Sequence, residues 1–248
     1  MWLLPSKGRP LMLAQCLESA LKAGMTTPGR ILLDSSDPTI DEYKNLQLPR
    51  DWELYIVKDS PEEPIPCVGK SIRSWIKENK DYCDNCLWIG WFNDDHSFVT
   101  KEWDLMLLDE TKGLRVLCVN DKWQSPNRMT GPTVWSGDLF RLADRGIYFP
   151  KFCHMYMDNA WEVIGVNTGT WCAHMGVIVE HNHWTKHKEI EPDATTKYAE
   201  SFLMKDKETF AEWINSEAPK VVGRIRSMNI HNTYKHGIHM FTNTERRK

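Results

Sequence analysis

The sequence contains no long hydrophobic run and no periodic composition, and each absence excludes a class of protein. No stretch approaches the roughly 18 uninterrupted apolar residues of a spanning helix, so we expect no integral membrane segment. The apolar start is too short for a signal peptide, so we expect a cytoplasmic protein. The 14 glycines and 13 prolines form no repeat, which excludes collagen-like and low-complexity chains.

A disulfide framework is also absent. The seven cysteines are odd in number and scattered, which favours reduced thiols. Cys83 and Cys86 are the one close pair, and no second pair follows to complete a four-cysteine zinc site. Two interpretations of this pair stay open: half of a zinc site, or free thiols near a helix end.

What the sequence does contain is ordinary globular composition with an uneven distribution of charge. Hydrophobic residues make up 41% and charged residues 26% of the 248 residues, and the net charge is −3. Residues 219–248 nevertheless hold seven basic residues and a single acidic one. This basic tail is either a contact for a polyanion or a solvated terminus.

Short apolar segments alternate with helix-like segments over the first half of the chain. The strand-like segments are residues 2–4, 30–34, 52–57, 87–92 and 114–119. The alternation predicts an α/β fold with one Rossmann-like, mostly parallel sheet flanked by helices. Ligands bind such sheets at the carboxyl ends of the strands, so functional residues are expected there.

The helix-like segments carry apolar residues at helical spacing. The inward face of a first helix from Pro10 is predicted to consist of Leu11, Ala14, Leu17 and Leu21. That of a helix over 69–80 is predicted to consist of Ile72, Trp75 and Ile76. A further helix is expected between Thr100 and Gly113. Amphipathic spacing over 186–218 predicts a helical appendage, which divides the chain into a catalytic domain at 1–185 and an appendage with the basic tail at 186–248.

Two adjacent carboxylates, Asp94 and Asp95, directly follow the fourth strand-like segment. Like charges this close repel, and a divalent cation removes the conflict. Carboxylates are ligands that Mg²⁺ or Mn²⁺ prefers. The alternative is a solvated turn or a helix N-cap, where Asp is common.

Similar chemistry recurs later in the chain. Asp158 precedes a helix-like segment, and a strand-like segment at 176–180 runs into His181 and His183. Residues two apart on an extended segment share a face, so the two imidazoles could point together toward a cation. A histidine-rich surface loop is the alternative interpretation.

Taken in order, these features resemble family 2-type glycosyltransferases with the A-type fold. Four landmarks match: a first strand ending in a Pro/Ser/Arg loop, a second ending in Asp, an acidic DxD-like element, and a downstream Asp followed by a strand ending in His. In this sequence they are Pro5, Ser6 and Arg9; Asp34; residues 93–96; and Asp158 with His181 or His183. Residues 131–140 resemble the segment that frames donor and acceptor.

The resemblance implies a role for each position. Asp34 would contact the nucleotide base beside the Pro5–Arg9 loop, with Lys70 or Arg73 near the nucleotide. Asp95, with Asp94, would bind Mn²⁺ or Mg²⁺ and the ribose-diphosphate, and His181 or His183 would complete the metal shell. Asp158 would be the general base, with Glu162 as the replacement if Asp158 is only a helix cap. His96 and Asn93 depart from the acidic run, and Met157 stands where the family has Glu.

The function so implied is transfer of a sugar from a nucleoside-diphosphate donor, with a UDP-sugar favoured, to an acceptor hydroxyl. The basic tail is similar in type to that of phage-encoded enzymes acting on hydroxylated bases, which would place the protein in a host cytoplasm with DNA as acceptor. Saccharide, lipid and protein hydroxyls are the other candidates. The rival classes are a nucleotidyltransferase, which usually carries a more glycine-rich first loop, and a non-catalytic sugar- or nucleic-acid-binding module.

Overall fold

A computed structural model describes residues 1–58, 63–129, 131–144, 152–187 and 191–228. Within these ranges eight strands form one curled sheet. The strands are β1 (Trp2–Pro5), β2 (Gly29–Asp34), β3 (Trp52–Val57), β4 (Trp88–Trp91), β5 (His96–Phe98), β6 (Val116–Asn120), β7 (Thr133–Ser136) and β8 (Trp171–His181).

Helices flank the sheet on both faces. They are α1 (Pro10–Lys22), α2 (Ile40–Lys44), α3 (Val68–Glu78), α4 (Lys80–Asn85), α5 (Trp103–Asp109), α6 (Gly137–Leu142), α7 (Met157–Thr168), α8 (Ala194–Glu200) and α9 (Leu203–Ser216). Residues 218–228 are helical as well. Among the described residues, no helix combines the length and the apolar composition needed to cross a membrane.

The strands lie in the order β3-β2-β1-β4-β7-β6-β8-β5. The neighbours among β1 to β4 pair in parallel, as do β6 and β8. β7 runs antiparallel to β4 and β6, and β5 runs antiparallel to β8. The α/β architecture predicted from the sequence is confirmed.

Alternate residues of the central strands enter two separate cores. Leu3 and Leu32 belong to one cluster, whereas Trp2, Leu4 and Ile31 belong to the other. Successive strand side chains point to opposite faces, so each strand contributes to both. This burial on both faces explains why these strands read as continuous apolar runs.

The inward face predicted for α3 is confirmed, but that of α1 is partly wrong. Ile72, Trp75 and Ile76 are at most 2% exposed. In α1, however, Leu11 is 76% and Leu21 45% exposed, and the small residues Cys16 and Ala20 are buried instead. Both sides of α1 carry apolar residues, so spacing alone did not identify the buried one.

The helices after β8 pack onto the sheet. Trp213, Ala218, Val221 and Ile225 join the same hydrophobic cluster as Leu3 and Leu32. The segment that the sequence predicts as an appendage therefore contributes to a core it shares with the first strands. The division at residue 185 stays a prediction.

The structure shows the state of the cysteines and the contacts of part of the basic tail. All seven cysteines are reduced thiols, and Cys83 and Cys86 are buried. Arg224 forms a bidentate ion pair with Asp144, with distances of 2.8 and 2.6 Å. Four basic residues of the tail, Lys235, Arg246, Arg247 and Lys248, lie outside the described residues.

Candidate functional site

The carboxyl ends of β1, β2 and β4 open into a cavity of about 650 Å³. This is the edge of the sheet at which parallel strands usually place a ligand. Sequence-predicted residues on its wall are Pro5, Ser6, Arg9, Asp34, Asp94, Asp95, Asp158, His181 and His183. Nine side chains separated by up to 178 positions are thus brought to one cavity.

Asp94 faces the first loop of the chain. Its carboxylate accepts a hydrogen bond of 2.6 Å from Ser6 Oγ and lies 3.3 Å from Arg9 Nη1. Burial raises the pKa of Asp94 to about 6, and the charge of Arg9 opposes the shift. Asp94 therefore joins the loop after β1 to the loop after β4.

Asp95 lies with two imidazoles instead. The ligand atoms of Asp95, His96 and His181 all lie within 4.8 Å of one another. His181 Nε2 is 3.2 Å from Asp95 Oδ2. Among the described residues, Asp95 Oδ1 and His96 Nε2 are buried and have no hydrogen-bond partner. Buried polar atoms normally have a partner, and these two belong to residues whose oxygen and nitrogen atoms can coordinate metal. A bound cation would supply the missing partner.

Two of the three residues in this cluster have the protonation that metal binding requires. Burial lowers the pKa of His96 to about 4, so its ring is neutral. Although burial opposes the shift, the hydrogen bond with His181 holds the pKa of Asp95 well below its usual range. Asp95 and His96 are thus in the forms in which these groups bind metal. Although burial opposes the shift, the hydrogen bond with Asp95 raises the pKa of His181, so a cation bound by His181 would have to displace its proton.

The second nitrogen of His96 fixes the orientation of the ring. His96 Nδ1 lies 3.0 Å from the amide nitrogen and 3.1 Å from the carbonyl oxygen of Asn93. With its proton on Nε2 the ring accepts the hydrogen bond of the Asn93 amide at Nδ1, and with its proton on Nδ1 it donates to the Asn93 carbonyl instead. Only the second tautomer leaves a lone pair on Nε2, so a bound cation would select it. Histidine ligands in metal sites are commonly oriented by such a hydrogen bond.

His183 is not among the three residues whose ligand atoms converge, although its ring centroid is 5.3 Å from that of His181. Its Nδ1 is 2.7 Å from Thr185 Oγ1, and its ring stacks on Trp123. The sequence singled out His181 and His183 because they alternate, but the structure groups His181 with His96. The signal for His96 was its position directly after the acidic pair. The pairing of β5 with β8, which sets His96 opposite His181, could not be read from the sequence.

Asp34 ends β2 and is 3% exposed. Its Oδ1 accepts hydrogen bonds from the Ser36 amide and hydroxyl at 2.9 and 2.6 Å. Its Oδ2 lies 3.3 Å from Lys70 Nζ. Burial opposes ionisation, but these hydrogen bonds and the Lys70 charge lower the pKa of Asp34.

The structure does not place Lys70 and Arg73 on the described cavity wall. Lys70 is fully buried and pairs with Asp34. Arg73 donates to the Phe152 carbonyl at 2.8 Å and to Glu63 at 2.9 Å. Both residues lie on α3, and they make these contacts without lining the cavity themselves.

Asp158 lies in the first turn of α7 and faces the cavity. Its carboxylate is accessible within the cavity but surrounded by protein, and this desolvation raises its pKa. Glu162, one turn later, instead accepts hydrogen bonds of 3.0 Å from Arg128 and from the Met129 amide. Of the two candidate bases on α7, Asp158 is the one at the described cavity wall.

Sequence reasoning did not identify Asp206 of α9. It is fully buried, and its carboxylate accepts hydrogen bonds from the amides of Cys153, His154 and Met155 at 2.8 to 2.9 Å. Those amides precede α7 directly. A helix near the C-terminal end of the described chain thus fixes the loop that leads to Asp158.

The opposite wall comes from α8. Arg9 donates to both Asp193 oxygens at 2.7 and 2.6 Å and to Thr196 Oγ1 at 2.6 Å. Lys7 Nζ lies 4.7 Å from the centre of the Tyr198 ring. These contacts attach the start of α8 to the loop after β1.

No protein-family model matches the chain, and no curated protein matches it in sequence. Solved structures with a similar course of the chain include Rv0371c from Mycobacterium tuberculosis in complex with manganese (TM-score 0.48, 13% identity, covering 76% of this chain and 95% of that one). Others are the galactosyltransferase LgtC with donor and acceptor sugar analogues (TM-score 0.41, 12% identity, 69% and 72%) and a nucleotidyl transferase from Methanothermobacter (TM-score 0.46, 8% identity, 76% and 94%). These TM-scores are all below 0.5, so the similarities support no statement about function. The function is inferred from the site alone.

Proposed function

We propose that the protein is a metal-dependent glycosyltransferase that moves a sugar from a nucleoside diphosphate to an acceptor hydroxyl. The observation that carries the proposal is the cluster of Asp95, His96 and His181, with two buried unpartnered ligand atoms, at the strand ends of an α/β sheet. These residues would hold Mn²⁺ or Mg²⁺; of these two ions Mn²⁺ is the better suited, because imidazole nitrogens generally prefer transition metals. When bound, the cation would act as a Lewis acid on the departing diphosphate.

The other residues on the wall have compatible chemistry. Asp34 offers hydrogen-bond acceptors to the N–H groups of a base, and the Ser36 contacts keep its carboxylate oriented. Ser6 and Arg9 hold Asp94 beside the metal cluster. We assign this end of the cavity to the nucleotide, with a UDP-sugar as the favoured donor.

Asp158 is the proposed general base. In the transfer, the acceptor oxygen bonds to the anomeric carbon, the bond from that carbon to the diphosphate oxygen breaks, and the acceptor proton passes to the Asp158 carboxylate. A positioned base contributes about 10²- to 10⁴-fold to the rate. Its raised pKa suits the role, because a carboxylate with a higher pKa is a stronger base.

The acceptor is less constrained. DNA, saccharide, lipid and protein hydroxyls all remain candidates, and the phage-type role on modified DNA and the cytoplasmic location stay predictions. The described basic residues near the end of the chain form internal contacts, such as Arg224 with Asp144 and Lys220 with Glu217. Phosphate-backbone binding depends on cations that neutralise phosphates, so at these described residues a DNA acceptor would have to compete with exposed ion pairs.

Product analysis tests the proposal. The protein is incubated with Mn²⁺, a panel of nucleotide sugars and a panel of hydroxyl acceptors (saccharides, a glycolipid, a protein and DNA with hydroxylated bases), and phosphorus NMR identifies the phosphate product. We expect nucleoside diphosphate; in Asp158→Asn its release should fall about 10²-fold or more while donor binding is kept. Asp109→Asn, at an exposed pair with Lys112, is the matched control. In a parallel incubation with a nucleoside triphosphate and a sugar 1-phosphate, release of pyrophosphate would instead indicate nucleotidyl transfer. Donor binding without turnover in either incubation would indicate a binding module.

A further inference from the structure

One tryptophan differs from the rest in its exposure. All 12 tryptophans lie in described ranges, and 11 of them are buried or half-buried. Trp123 is 39% exposed and lies on the cavity wall. An indole left in contact with water is a large apolar surface available to a ligand.

Trp123 is held in place before any ligand binds. Oδ1 of the fully buried Asp121 accepts hydrogen bonds from the amides of Trp123, Gln124 and Ser125 at 3.1, 2.9 and 3.0 Å. A ring on a loop fixed in this way loses little conformational freedom on binding. The loop therefore presents a pre-organised aromatic surface.

The indole lies beside the candidate metal centre. Its centroid is 6.2 Å from that of His181 and 6.3 Å from that of His183, with which it makes an interplanar angle of 19°. A ligand ring against Trp123 would therefore be close to where the diphosphate is proposed to bind. This is the region where the transferred sugar and the accepting sugar meet.

The basic side chains nearest to Trp123 along the chain are paired with carboxylates. Lys122, directly before it, pairs with Glu180 at 3.4 Å, and Arg128 pairs with Glu162 at 3.0 Å. Gln124, which also lies on the cavity wall, is an uncharged donor and acceptor. An apolar ring face with neutral hydrogen-bonding groups beside it matches the C–H face and hydroxyl edge of a sugar.

We propose that Trp123 is a stacking platform for a neutral sugar ring at the metal-side end of the cavity. This inference rests on the proposed function and deepens it, because it names the group that approaches the metal centre. The ring could belong to the donor or to a saccharide acceptor, and the two sources share the same chemistry.

Calorimetry on Trp123→Ala and Trp123→Phe separates the two sources. With Mn²⁺ present, UDP should bind both variants as it binds wild type, because UDP carries no sugar beyond its diphosphate. A UDP-sugar should bind Trp123→Ala about tenfold more weakly than wild type, which is the upper end of what aromatic stacking contributes. The same loss is expected for one of a panel of neutral trisaccharides, whose binding is followed by saturation-transfer NMR. Trp123→Phe should recover most of this loss. Leu87→Ala, 86% exposed, is the control.

The outcomes separate this inference from the proposed function. Loss confined to UDP-sugars assigns Trp123 to the donor, and loss confined to a trisaccharide assigns it to the acceptor. If UDP binds wild type while no sugar-bearing ligand depends on Trp123, the platform is overturned and the donor site stands. If no nucleotide binds but a trisaccharide depends on Trp123, the platform stands and the proposed function fails. Three further outcomes overturn the platform. The first is that no sugar binds, and the second is that UDP loses as much affinity in Trp123→Ala as the sugar-bearing ligands do. The third is that a single-stranded deoxyoligonucleotide, instead of a sugar, binds in a Trp123-dependent way.

Discussion

At the scale of single residues, the candidate site contains polar atoms whose burial is costly in its metal-free form. Leaving a buried polar atom unpaired costs about 1–3 kcal/mol. Asp95 Oδ1 and His96 Nε2 are two such atoms among the described residues, and they belong to the same cluster. A cation that binds both recovers this cost, so the cluster favours metal binding even before a nucleotide is present.

His96 is therefore expected to matter more for metal affinity than His183. His96→Ala removes a member of the cluster and should weaken Mn²⁺ binding about tenfold or more, by analogy with the loss of groups that support a metal. His183→Ala removes a ring that contacts Thr185 and Trp123, and should change Mn²⁺ affinity little. Titration of Mn²⁺ followed by electron paramagnetic resonance measures both. The reverse order would show that the metal is held by the alternating pair predicted from the sequence.

Asp158 should impose a pH dependence on transfer. The base must be ionised to accept a proton, and desolvation by the surrounding cavity wall raises its pKa above the usual 3.8. Activity should therefore be lost as the pH falls through a value above that of an ordinary carboxyl group. The pH profile of kcat, measured under saturating donor and Mn²⁺, checks this. A profile that stays flat down to pH 4 would contradict the assignment.

The sequence identifies some of these residues and misses others for physical reasons. Asp95 was recognised because two adjacent carboxylates after a buried strand need compensation. His96 was interpreted only as a departure from an acidic run, because its role depends on a pairing with β8 some 85 positions away. Lys70 was expected near the nucleotide, but its burial behind Asp34 is a property of packing.

At the scale of elements, β5 and α9 position the site although neither was predicted to do so. β5 is a three-residue strand whose register sets His96 opposite His181. α9 contributes Asp206, which binds three successive amides ahead of α7. Strand β3, in contrast, was predicted with its observed bounds because its alternation is local. Local patterns thus located the elements, and long-range pairing decided which of them form the site.

Removing the Asp206 carboxylate should loosen the loop before α7. Asp206→Ala leaves three amides without their acceptor and should lower the free energy of unfolding by about 3 kcal/mol or more. Asp206→Asn keeps one accepting oxygen and should lose less. Denaturant unfolding gives the energies, and hydrogen exchange at residues 153–155 shows whether the loop opens.

Glu208→Ala, on an exposed position of the same helix, is the control and should stay within about 0.5 kcal/mol of wild type. Unchanged exchange at 153–155 in Asp206→Ala would show that other contacts hold the loop.

At the scale of the whole molecule, the chain after β8 is part of both the core and the cavity. Trp213 and Ile225 lie in the cluster that contains Leu3, and Tyr198 of α8 lies on the cavity wall. Amphipathic spacing predicted these helices correctly, but not that they complete the site. The boundary of the catalytic domain at residue 185 stays a prediction, and the shared core gives a reason to test it.

Fragments of the chain provide that test. The fragment 1–187 lacks the side chains that cover one core and should show no cooperative thermal unfolding, because each large apolar side chain contributes about 1.5–3 kcal/mol when buried. The fragment 1–228 keeps every described element and should unfold cooperatively. Calorimetry and circular dichroism distinguish the two. A cooperative transition in 1–187 would support an independent domain followed by an appendage.

The measurement that most directly tests the central claim is a thermal-shift titration of nucleoside diphosphates and nucleotide sugars, each with Mn²⁺ and with chelator, on wild type and Asp95→Asn. A ligand at about 100 times its dissociation constant should add about 2.7 kcal/mol of stability. We expect an upward shift of Tm for one nucleotide in wild type, and we expect this shift to disappear with chelator and in Asp95→Asn. No shift with any nucleotide, or a shift indifferent to both chelator and Asp95, would contradict the metal–diphosphate site.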